Sequence, residues 1–214
     1  NLNTKKWWDP LEISQSKAKF NANDENFVVN EVNNALLRSV EEKKISDVPI
    51  GVFLSSGIDS SLICSLLMHS SQEPINSFTI AFPDNNQGEL GFDEGPAAKL
   101  IASYLGTNHN EVAISSSDLI KIIPSLSNIY SEPFADSSQI PTFLICREAF
   151  KNNLKVVLSG DGGDELFGGY NRHYLIPKIH KIFKKVPYPM RYLLSRLLIN
   201  LPNKNIGLAQ QKIQ

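Results

Sequence analysis

The sequence predicts an α/β fold, a doubly wound parallel β-sheet followed by a C-terminal helical extension. Apolar β-type runs alternate with segments of helical periodicity between residues 48 and 158, which is the pattern of a parallel sheet covered by helices. Two loops rich in glycine, serine and aspartate each follow one of these apolar runs. Because ligands of such sheets bind at the carboxyl ends of the strands, we expect one ligand site built from both loops.

The individual elements follow from periodicity and capping residues. Asp24 or Asn26 can cap a first helix that continues to about Lys44, since apolar residues recur there at helical spacing. The alternation then predicts strands over 48–54, 76–82, 109–114 and 154–158, and helices over 58–69, 94–105, 117–129 and 137–152. Residues 83–91, rich in Asn, Gly and acidic residues, are predicted to form a loop that can move over a site. After Tyr170 the pattern is helical again, with interruptions at Pro177, Pro187, Pro189 and Pro202.

The two loops carry the residues that indicate chemistry. The first, residues 54–61, has the sequence LSSGIDSS and opens a helix; the second, residues 158–170, has the sequence LSGDGGDELFGGY. Small residues let main-chain N–H groups approach an anion, and a helix N-terminus adds a favourable dipole for phosphate. Each loop also carries an aspartate, Asp59 or Asp164, and carboxylate oxygens suit Mg²⁺ bound to a nucleotide. The loops therefore predict one nucleotide site with Mg²⁺.

These loops also resemble a known family. The first lacks the Gly-Lys-Ser/Thr of a Walker A sequence and resembles instead the pyrophosphate loop, Ser-Gly-Gly-x-Asp-Ser, of enzymes that split ATP between its α and β phosphates. The second resembles the signature of the synthetase domain of glutamine-hydrolysing asparagine synthetases. Further stretches agree, in order, between about Trp7 and Tyr170: SFTI at 77–80, FDE at 92–94, LGTNH at 105–109 and EPFADSSQIPT at 132–142.

The resemblance implies a fold like that of the adenine-nucleotide α-hydrolases and pyrophosphate-loop ATPases, and it implies roles for the matching residues. Pyrophosphate would be held by Ser55, Gly57, Ser60 and Ser61, and Mg²⁺ by Asp59 and Asp164. The adenosine part of ATP would contact Leu54, Ile80, Ser159 and Gly160. Asp161 matches an acidic position that acts near the adenylate and ammonia, so the catalytic residues implied by the resemblance are Asp161, Asp59 and Asp164.

The chain departs from the family pattern at two positions. Ser56 stands where the family usually has glycine, which serves where φ is positive or a phosphate lies against the Cα atom. We expect serine to be tolerated there. Asp161 stands where the family often has glutamate, and the shorter side chain alters its reach. Asp93 and Glu94 have two interpretations that the sequence leaves open: they cap the following helix, or they belong to the site.

The function implied by the resemblance is that of an ATP-dependent, AMP-forming amide ligase. It would activate aspartate as β-aspartyl-adenylate and amidate it, with ammonia from glutamine, to give asparagine. Two alternatives remain open: amidation of another carboxylate such as a sugar acid, and a non-catalytic nucleotide-binding module.

The resemblance also predicts three parts of the chain. Residues 1–24 would be a connector from an N-terminal domain, 25–170 the ATP-pyrophosphatase synthetase domain, and 171–214 an incomplete helical C-terminal part. A glutaminase domain is expected in the full-length protein. We therefore interpret the chain as a fragment that by itself is weak or inactive as a synthetase, and the sequence leaves a homodimer open.

Composition limits the alternatives. The 214 residues carry a net charge of −1, and no apolar run approaches the length of a membrane span. All 22 acidic residues lie at or before Glu165, whereas nine basic residues follow it. Because the basic residues after Tyr170 alternate with apolar ones, we interpret them as one face of a solvated helix, not as a nucleic-acid or membrane site. Cys64 and Cys146 lie in apolar helical runs, which predicts buried thiols in a reducing cytoplasm.

Overall fold

The computed structural model describes residues 3–15, 24–82, 93–133 and 135–199. The chain forms two compact units, Asn1–Ser46 and Asp47–Gln214. The first unit contains the helices α1 (Pro10–Gln15) and α2 (Glu25–Lys44). The carboxylate of Asp24 accepts a hydrogen bond from the Phe27 N–H at 3.1 Å and so caps α2 as predicted. Helix α1 lies within the predicted connector.

The second unit is built around four parallel strands: β1 (Ile50–Phe53), β2 (Asn76–Ala81), β3 (Asn108–Ala113) and β4 (Val156–Leu158). Their order in the sheet is β3-β2-β1-β4, and all neighbouring strands are parallel. The chain moves outward from β1 to β3 and then returns to place β4 on the free side of β1. The connection that follows β1 therefore runs towards β2, whereas β4 lies on the other side of β1. The gap between β1 and β4 is the topological switch point, where open α/β sheets bind ligands. The predicted fold class is confirmed.

The strands are joined and followed by eight helices in the described part of this unit. They are α3 (Ile58–His69), α4 (Gly95–Leu105), α5 (Ser116–Ile122), α6 (Leu126–Ile129), α7 (Gln139–Lys151), α8 (Gly163–Phe167), α9 (Asn171–Lys184) and α10 (Tyr188–Ile199). The prediction of a single helix over 117–129 is wrong. A 3₁₀ turn, Ile123–Ser125, separates α5 from α6 because Pro124 has no N–H to donate to the helix.

The side chains of β2 alternate between two packed faces. Phe78 and Ile80 pack with Ile145 and Ala149 of α7. On the opposite face, Ala81 lies against the first residue of α4, and α4 also packs against α3. Since successive strand residues point to opposite sides, α3 and α4 cover one face of the sheet and α7 covers the other. This two-sided packing buries the central strands β1 and β2 and leaves the carboxyl edge of the sheet for the loops.

The two cysteines differ in their exposure to solvent. Cys64 is fully buried within α3, and burial raises the pKa of its thiol to about 11. Cys146 is exposed, so the predicted burial of both thiols is wrong for Cys146. Helix α7 buries Leu144, Ile145 and Ala149, and Cys146 lies at the margin of that stripe. A stripe of this width does not include every apolar position of the helix.

The basic C-terminal segment forms α9 and α10. Four of its cations lie over tyrosine rings, at 3.6 to 5.9 Å from the ring centroid: Arg172 over Tyr170, Lys178 over Tyr174, Arg191 over Tyr188 and Arg196 over Tyr192. Among the described residues, none of the helices combines the length and the apolar character that crossing a bilayer requires. The predicted mobile loop over 83–91 lies outside the described residues.

A polar cluster lies at the amino end of β2 and β3. The Ser77 hydroxyl is 2.9 Å from His109 Nδ1 and 2.7 Å from the Thr107 hydroxyl. His109 Nε2 is buried and has no hydrogen-bond partner. Desolvation lowers the pKa of His109, and the charge of Lys99 lowers it further against an opposing effect of Glu111. The Ser77 hydroxyl thus bridges the Thr107 hydroxyl and the His109 ring.

We expect His109 to make the free energy of unfolding depend on pH. Its pKa is lower in the folded than in the unfolded chain, so stability is complete above about pH 6.5 and is lost as the pH falls towards the folded pKa. One proton changes stability by at most about 1.4 kcal/mol per pH unit, and partial exposure reduces this slope. Urea unfolding between pH 7.5 and 5.5 measures it.

The matched control is the exposed His69. His109→Gln should flatten the loss of stability below pH 6.5, whereas His69→Gln should leave it unchanged. An identical pH profile for the parent chain and His109→Gln would contradict the assignment.

Candidate active site

The first loop is a compact turn between β1 and α3. Gly57 is the N-cap of α3 with extended dihedrals, φ −73° and ψ 153°, and it contributes no side chain to cap the helix. Its N–H donates to the Ser55 hydroxyl at 3.1 Å. Ser56 and Gly57 are exposed at the helix N-terminus, and the N–H of Ser56 donates to the Glu94 carboxylate. Such an N-terminus favours an anion because its first N–H groups have no partner within the helix.

Ser60 holds the loop together from within. Its buried hydroxyl is 2.7 Å from the Ser55 hydroxyl and accepts the Ser55 N–H at 3.1 Å. It also lies 3.2 Å from the Gly57 carbonyl, and the Ser61 hydroxyl donates to that same carbonyl at 2.7 Å. Two of the serines predicted to hold pyrophosphate thus make their hydrogen bonds to the loop itself. A direct contact of Ser60 or Ser61 with phosphate stays a prediction.

The second loop lies directly on the first turn of α3. Gly160 approaches so closely that a Cβ atom there would be 2.6 Å from the Ser60 nitrogen and 2.9 Å from the Asp59 carbonyl carbon. A Cβ atom at Gly163 would overlap the Asp59 carboxylate. Because the neighbours of Gly160 are main-chain atoms that cannot move aside, only glycine fits there, whereas a side chain at Gly163 would require the Asp59 carboxylate to turn away. The structure therefore joins the two predicted loops, which lie about a hundred residues apart in the sequence.

The three predicted catalytic aspartates lie at or near this junction. The Asp59 carboxylate lies against Gly163, at the start of α8. Asp164 is the next residue, and its carboxylate lies against Gly169 beyond the end of α8. Asp161 is exposed, and its carboxylate accepts the Ser159 hydroxyl at 3.0 Å. No group of three or more His, Cys, Asp or Glu side chains able to hold a metal occurs among the described residues. A shared metal ion between Asp59 and Asp164 stays a prediction.

The positions predicted to contact adenosine lie at the carboxyl ends of β1, β2 and β4. The Leu54 N–H donates to the Phe78 carbonyl at 2.8 Å, and the Leu54 carbonyl accepts the Thr79 hydroxyl. Ile80 lies in β2, opposite Val112 of β3, and its side chain belongs to the core. Ser159 and Gly160 follow β4 directly. The Leu54 main chain already has one partner on each side, and its carbonyl retains a second lone pair.

Ser56 has no glycine-like conformation. Among the described residues, Asn153 is the one non-glycine residue with positive φ, so φ at Ser56 is not positive. One of the two reasons for a glycine at this position is thus absent. The Ser56 N–H donates to the carboxylate of Glu94 at 3.3 Å.

Sequence reasoning missed two contacts of the site, those of Thr79 and Tyr170, and left the role of Glu94 open. Thr79 fixes the end of β1, Glu94 reaches the first loop, and the Tyr170 hydroxyl donates to Glu165 at 2.6 Å across the second loop. The last bond lowers the pKa of Glu165 and raises that of Tyr170. All four residues lie in the stretches quoted above for the resemblance. That was the available signal, although their partners follow only from the tertiary contacts.

Comparison with known proteins decides the family. The family model described as asparagine synthase matches residues 31–213. The chain belongs to the asparagine synthase family. It is 36% identical over 181 residues to asparagine synthetase [glutamine-hydrolyzing] 1 from Bacillus subtilis, an alignment that covers 84% of this chain and 27% of that protein. It is 35% identical over 175 residues to a putative asparagine synthetase [glutamine-hydrolyzing] 2 from Methanocaldococcus jannaschii, covering 81% and 32% of the two chains.

The chain thus spans about a quarter to a third of the length of these asparagine synthase relatives. Among solved structures, an NH3-dependent NAD synthetase from Campylobacter jejuni aligns with a TM-score of 0.41 and 17% identity, over 86% of this chain and 93% of that one. This structural alignment is too weak to support an argument. The family membership confirms the resemblance carried by the two loops.

We expect Gly160→Ala to separate the two loops. The added methyl group would overlap the main chain of Asp59 and Ser60, which cannot move away as a flexible side chain could. Overpacking of this kind typically destabilises by about 1–3 kcal/mol. Urea unfolding measures the loss of stability. In calorimetry, the 214-residue chain that carries Gly160→Ala should no longer bind nucleotide.

Gly106→Ala is the matched control. Gly106 has φ 75° with no atom within 4 Å of its Cβ position, so alanine there adds conformational strain of about 1 kcal/mol without a clash. This variant should bind nucleotide like the parent. Equal nucleotide binding by Gly160→Ala and Gly106→Ala would show that the loop junction tolerates a side chain.

Proposed function

We propose that this chain is the ligase part of a glutamine-hydrolysing asparagine synthetase, which uses ATP to convert aspartate to asparagine and releases AMP and pyrophosphate. The observation that supports it most directly is the junction of the two loops at the switch point of the sheet. The matching family model and the names of the relatives support the acceptor and the reaction type. In the full-length protein, a glutaminase domain would supply the ammonia.

The first loop fits the phosphate chain of ATP. Its main-chain N–H groups lie at an exposed helix N-terminus, and its serine hydroxyls brace the turn from inside. Pre-organised donors of this kind stabilise charge that builds up on a leaving group without reorganising during the reaction. We assign Ser55, Gly57, Ser60 and Ser61 to the pyrophosphate, and main-chain groups of Leu54, Ile80, Ser159 and Gly160 to the adenosine.

The acidic residues of the site fit a bound cation. Asp59 and Asp164 adjoin the same junction, and carboxylate oxygens together with phosphate oxygens are the ligands that Mg²⁺ prefers. When bound, Mg²⁺ would offset the negative charge that accumulates on pyrophosphate. The two carboxylates would hold it and keep it next to the first loop.

The amide requires a better leaving group than hydroxide. In the first step, an oxygen of the aspartate side-chain carboxylate bonds to the α-phosphorus while the bond to the bridging oxygen breaks and pyrophosphate leaves. In the second step, the ammonia nitrogen bonds to the acyl carbon, AMP departs and a proton is released. We place the exposed Asp161 near these reacting groups, where its carboxylate can accept that proton. The Ser159 hydroxyl holds its orientation at 3.0 Å.

The family resemblance and the two thiols are compatible with a cytoplasmic enzyme, and we propose that location. Both Cys64 and Cys146 are free in the structure. Free thiols are the usual state in a reducing compartment.

Exchange of labelled pyrophosphate into ATP tests the proposed reaction. The full-length protein should catalyse exchange that requires aspartate, because only a bound acyl acceptor allows ATP to be cleaved reversibly. The 214-residue chain should bind nucleotide but exchange more slowly, since it covers about a quarter to a third of its relatives. Exchange that requires a sugar acid instead of aspartate would identify another acceptor, and its absence with every carboxylate would indicate a non-catalytic nucleotide-binding module.

We expect Asp59→Asn and Asp164→Asn to weaken binding of ATP·Mg²⁺ about 10- to 100-fold, because each change removes a charged oxygen ligand. Isothermal titration calorimetry of the folded variants measures the change. Asp47→Asn is the matched control, since Asp47 is an exposed aspartate just before β1, at the opposite edge of the sheet. If either active-site variant binds ATP·Mg²⁺ as the parent does, that carboxylate does not hold the metal.

A further inference from the structure

Helix α4 does not need the contact between Glu94 and the first loop in order to begin where it does. Glu94 is the N-cap of α4, yet its side chain makes no capping hydrogen bond to that helix. Asp93 does so instead, because its Oδ1 accepts the Gly95 N–H at 3.1 Å. The same oxygen accepts the Phe82 N–H at 3.3 Å, which fastens the start of α4 to the end of β2. Asp93 thus satisfies the local need for an acidic residue.

Glu94 reaches a different part of the site. Its half-buried carboxylate accepts the N–H of Ser56 at 3.3 Å, across 38 positions of sequence. Ser56 lies in the loop that we assign to pyrophosphate, between Ser55 and the N-cap of α3. A carboxylate therefore occupies a main-chain donor of an anion-binding turn, and it has the same sign of charge as a phosphate group.

From these contacts we propose that Glu94 is an internal competitor for the pyrophosphate loop. The inference rests on the function proposed above. A phosphate oxygen and the Glu94 carboxylate cannot share the Ser56 N–H without mutual repulsion, so a phosphate chain that uses this donor displaces Glu94. Because Asp93 anchors α4 independently, the Glu94 side chain can rotate away while the helix stays in place.

The competition has a consequence for ligand choice. Repulsion from Glu94 is greatest for a phosphate chain that carries its full negative charge and smaller for one whose charge is offset by a divalent cation. Glu94 is thus a positioning and specificity residue that disfavours free pyrophosphate relative to its Mg²⁺ complex. Repulsion from Glu94 would also favour release of metal-free pyrophosphate.

Calorimetric titration of the 214-residue chain with inorganic pyrophosphate, in a chelating buffer and again with excess Mg²⁺, tests the proposal. Glu94→Gln removes the charge and should bind metal-free pyrophosphate about two- to fivefold tighter than the parent does, the effect typical of one charge at a helix N-terminus. The gain should be smaller with Mg²⁺. A merely structural role of Glu94 would instead weaken binding, so the direction of the change discriminates the two roles.

Glu111→Gln is the matched control. Glu111 is an exposed glutamate whose carboxylate also approaches Gly95 of α4, and it has no hydrogen bond to the first loop in the described structure. Its removal should leave the affinity unchanged. An equal gain in pyrophosphate affinity from Glu94→Gln and Glu111→Gln would overturn the proposal. The gain would then reflect the overall charge of the protein and not the contact between Glu94 and Ser56.

Two further outcomes separate this inference from the proposed function. If the parent binds pyrophosphate and Glu94→Gln binds it equally or more weakly, the competition is wrong and the nucleotide site stands. If neither protein binds pyrophosphate or ATP, both proposals fail.

NMR of the parent chain tests the competition between Glu94 and pyrophosphate even if Glu94→Gln does not fold. Added pyrophosphate should shift the Ser56 amide and the Glu94 side-chain carboxylate resonances with the same midpoint. A shift of the Ser56 amide without any change at Glu94 would overturn the competition.

Discussion

The contact between Gly160 of the second loop and the first turn of α3 is the constraint on which the site depends. Each loop by itself is a short turn at a strand end, and neither contains a complete set of groups for a nucleotide. The missing side chains at Gly160 and Gly163 let the second loop lie on the main chain of Asp59 and Ser60. The Asp59 carboxylate lies against Gly163 of the second loop for that reason, and a methyl group at Gly160 would overlap the main chain of Asp59 and Ser60.

The sheet topology makes this contact available. Strand β4 pairs with β1, with Val52 opposite Leu158, so the segments that follow the two strands leave the sheet side by side. The burial of Phe78 beneath α7 and of Ala98 in α4 holds the sheet between two layers of helices. The loops can be irregular and exposed because the strands that carry them are fixed on both faces.

The electrostatics of the site follow from its composition. The N-terminus of α3 attracts anions, whereas Asp59, Asp161, Asp164 and Glu94 around it repel them. A phosphate chain bound there would meet both effects, and a divalent cation would reverse the second. The hydrogen bond from the Ser56 N–H to Glu94 combines both effects within the protein, because an acidic side chain accepts from a main-chain donor that also suits phosphate. We therefore expect the cation requirement of the proposed nucleotide site to depend on all four acidic residues, of which Asp59 and Asp164 are two.

The sequence by itself determined the alternation of strands and helices along the chain, except for the break at Pro124, together with the two loops and the family, because these depend on local periodicity, on glycine and serine spacing and on motif identity. Helix α3 matches its predicted range, and Asp24 caps α2 as expected. Only the tertiary structure decided that β4 lies beside β1, that Ser60 points into its own loop, that Cys146 is exposed and that Glu94 reaches Ser56. Local sequence specifies which conformation a segment prefers, but a contact across 38 or a hundred positions depends on how the whole sheet closes.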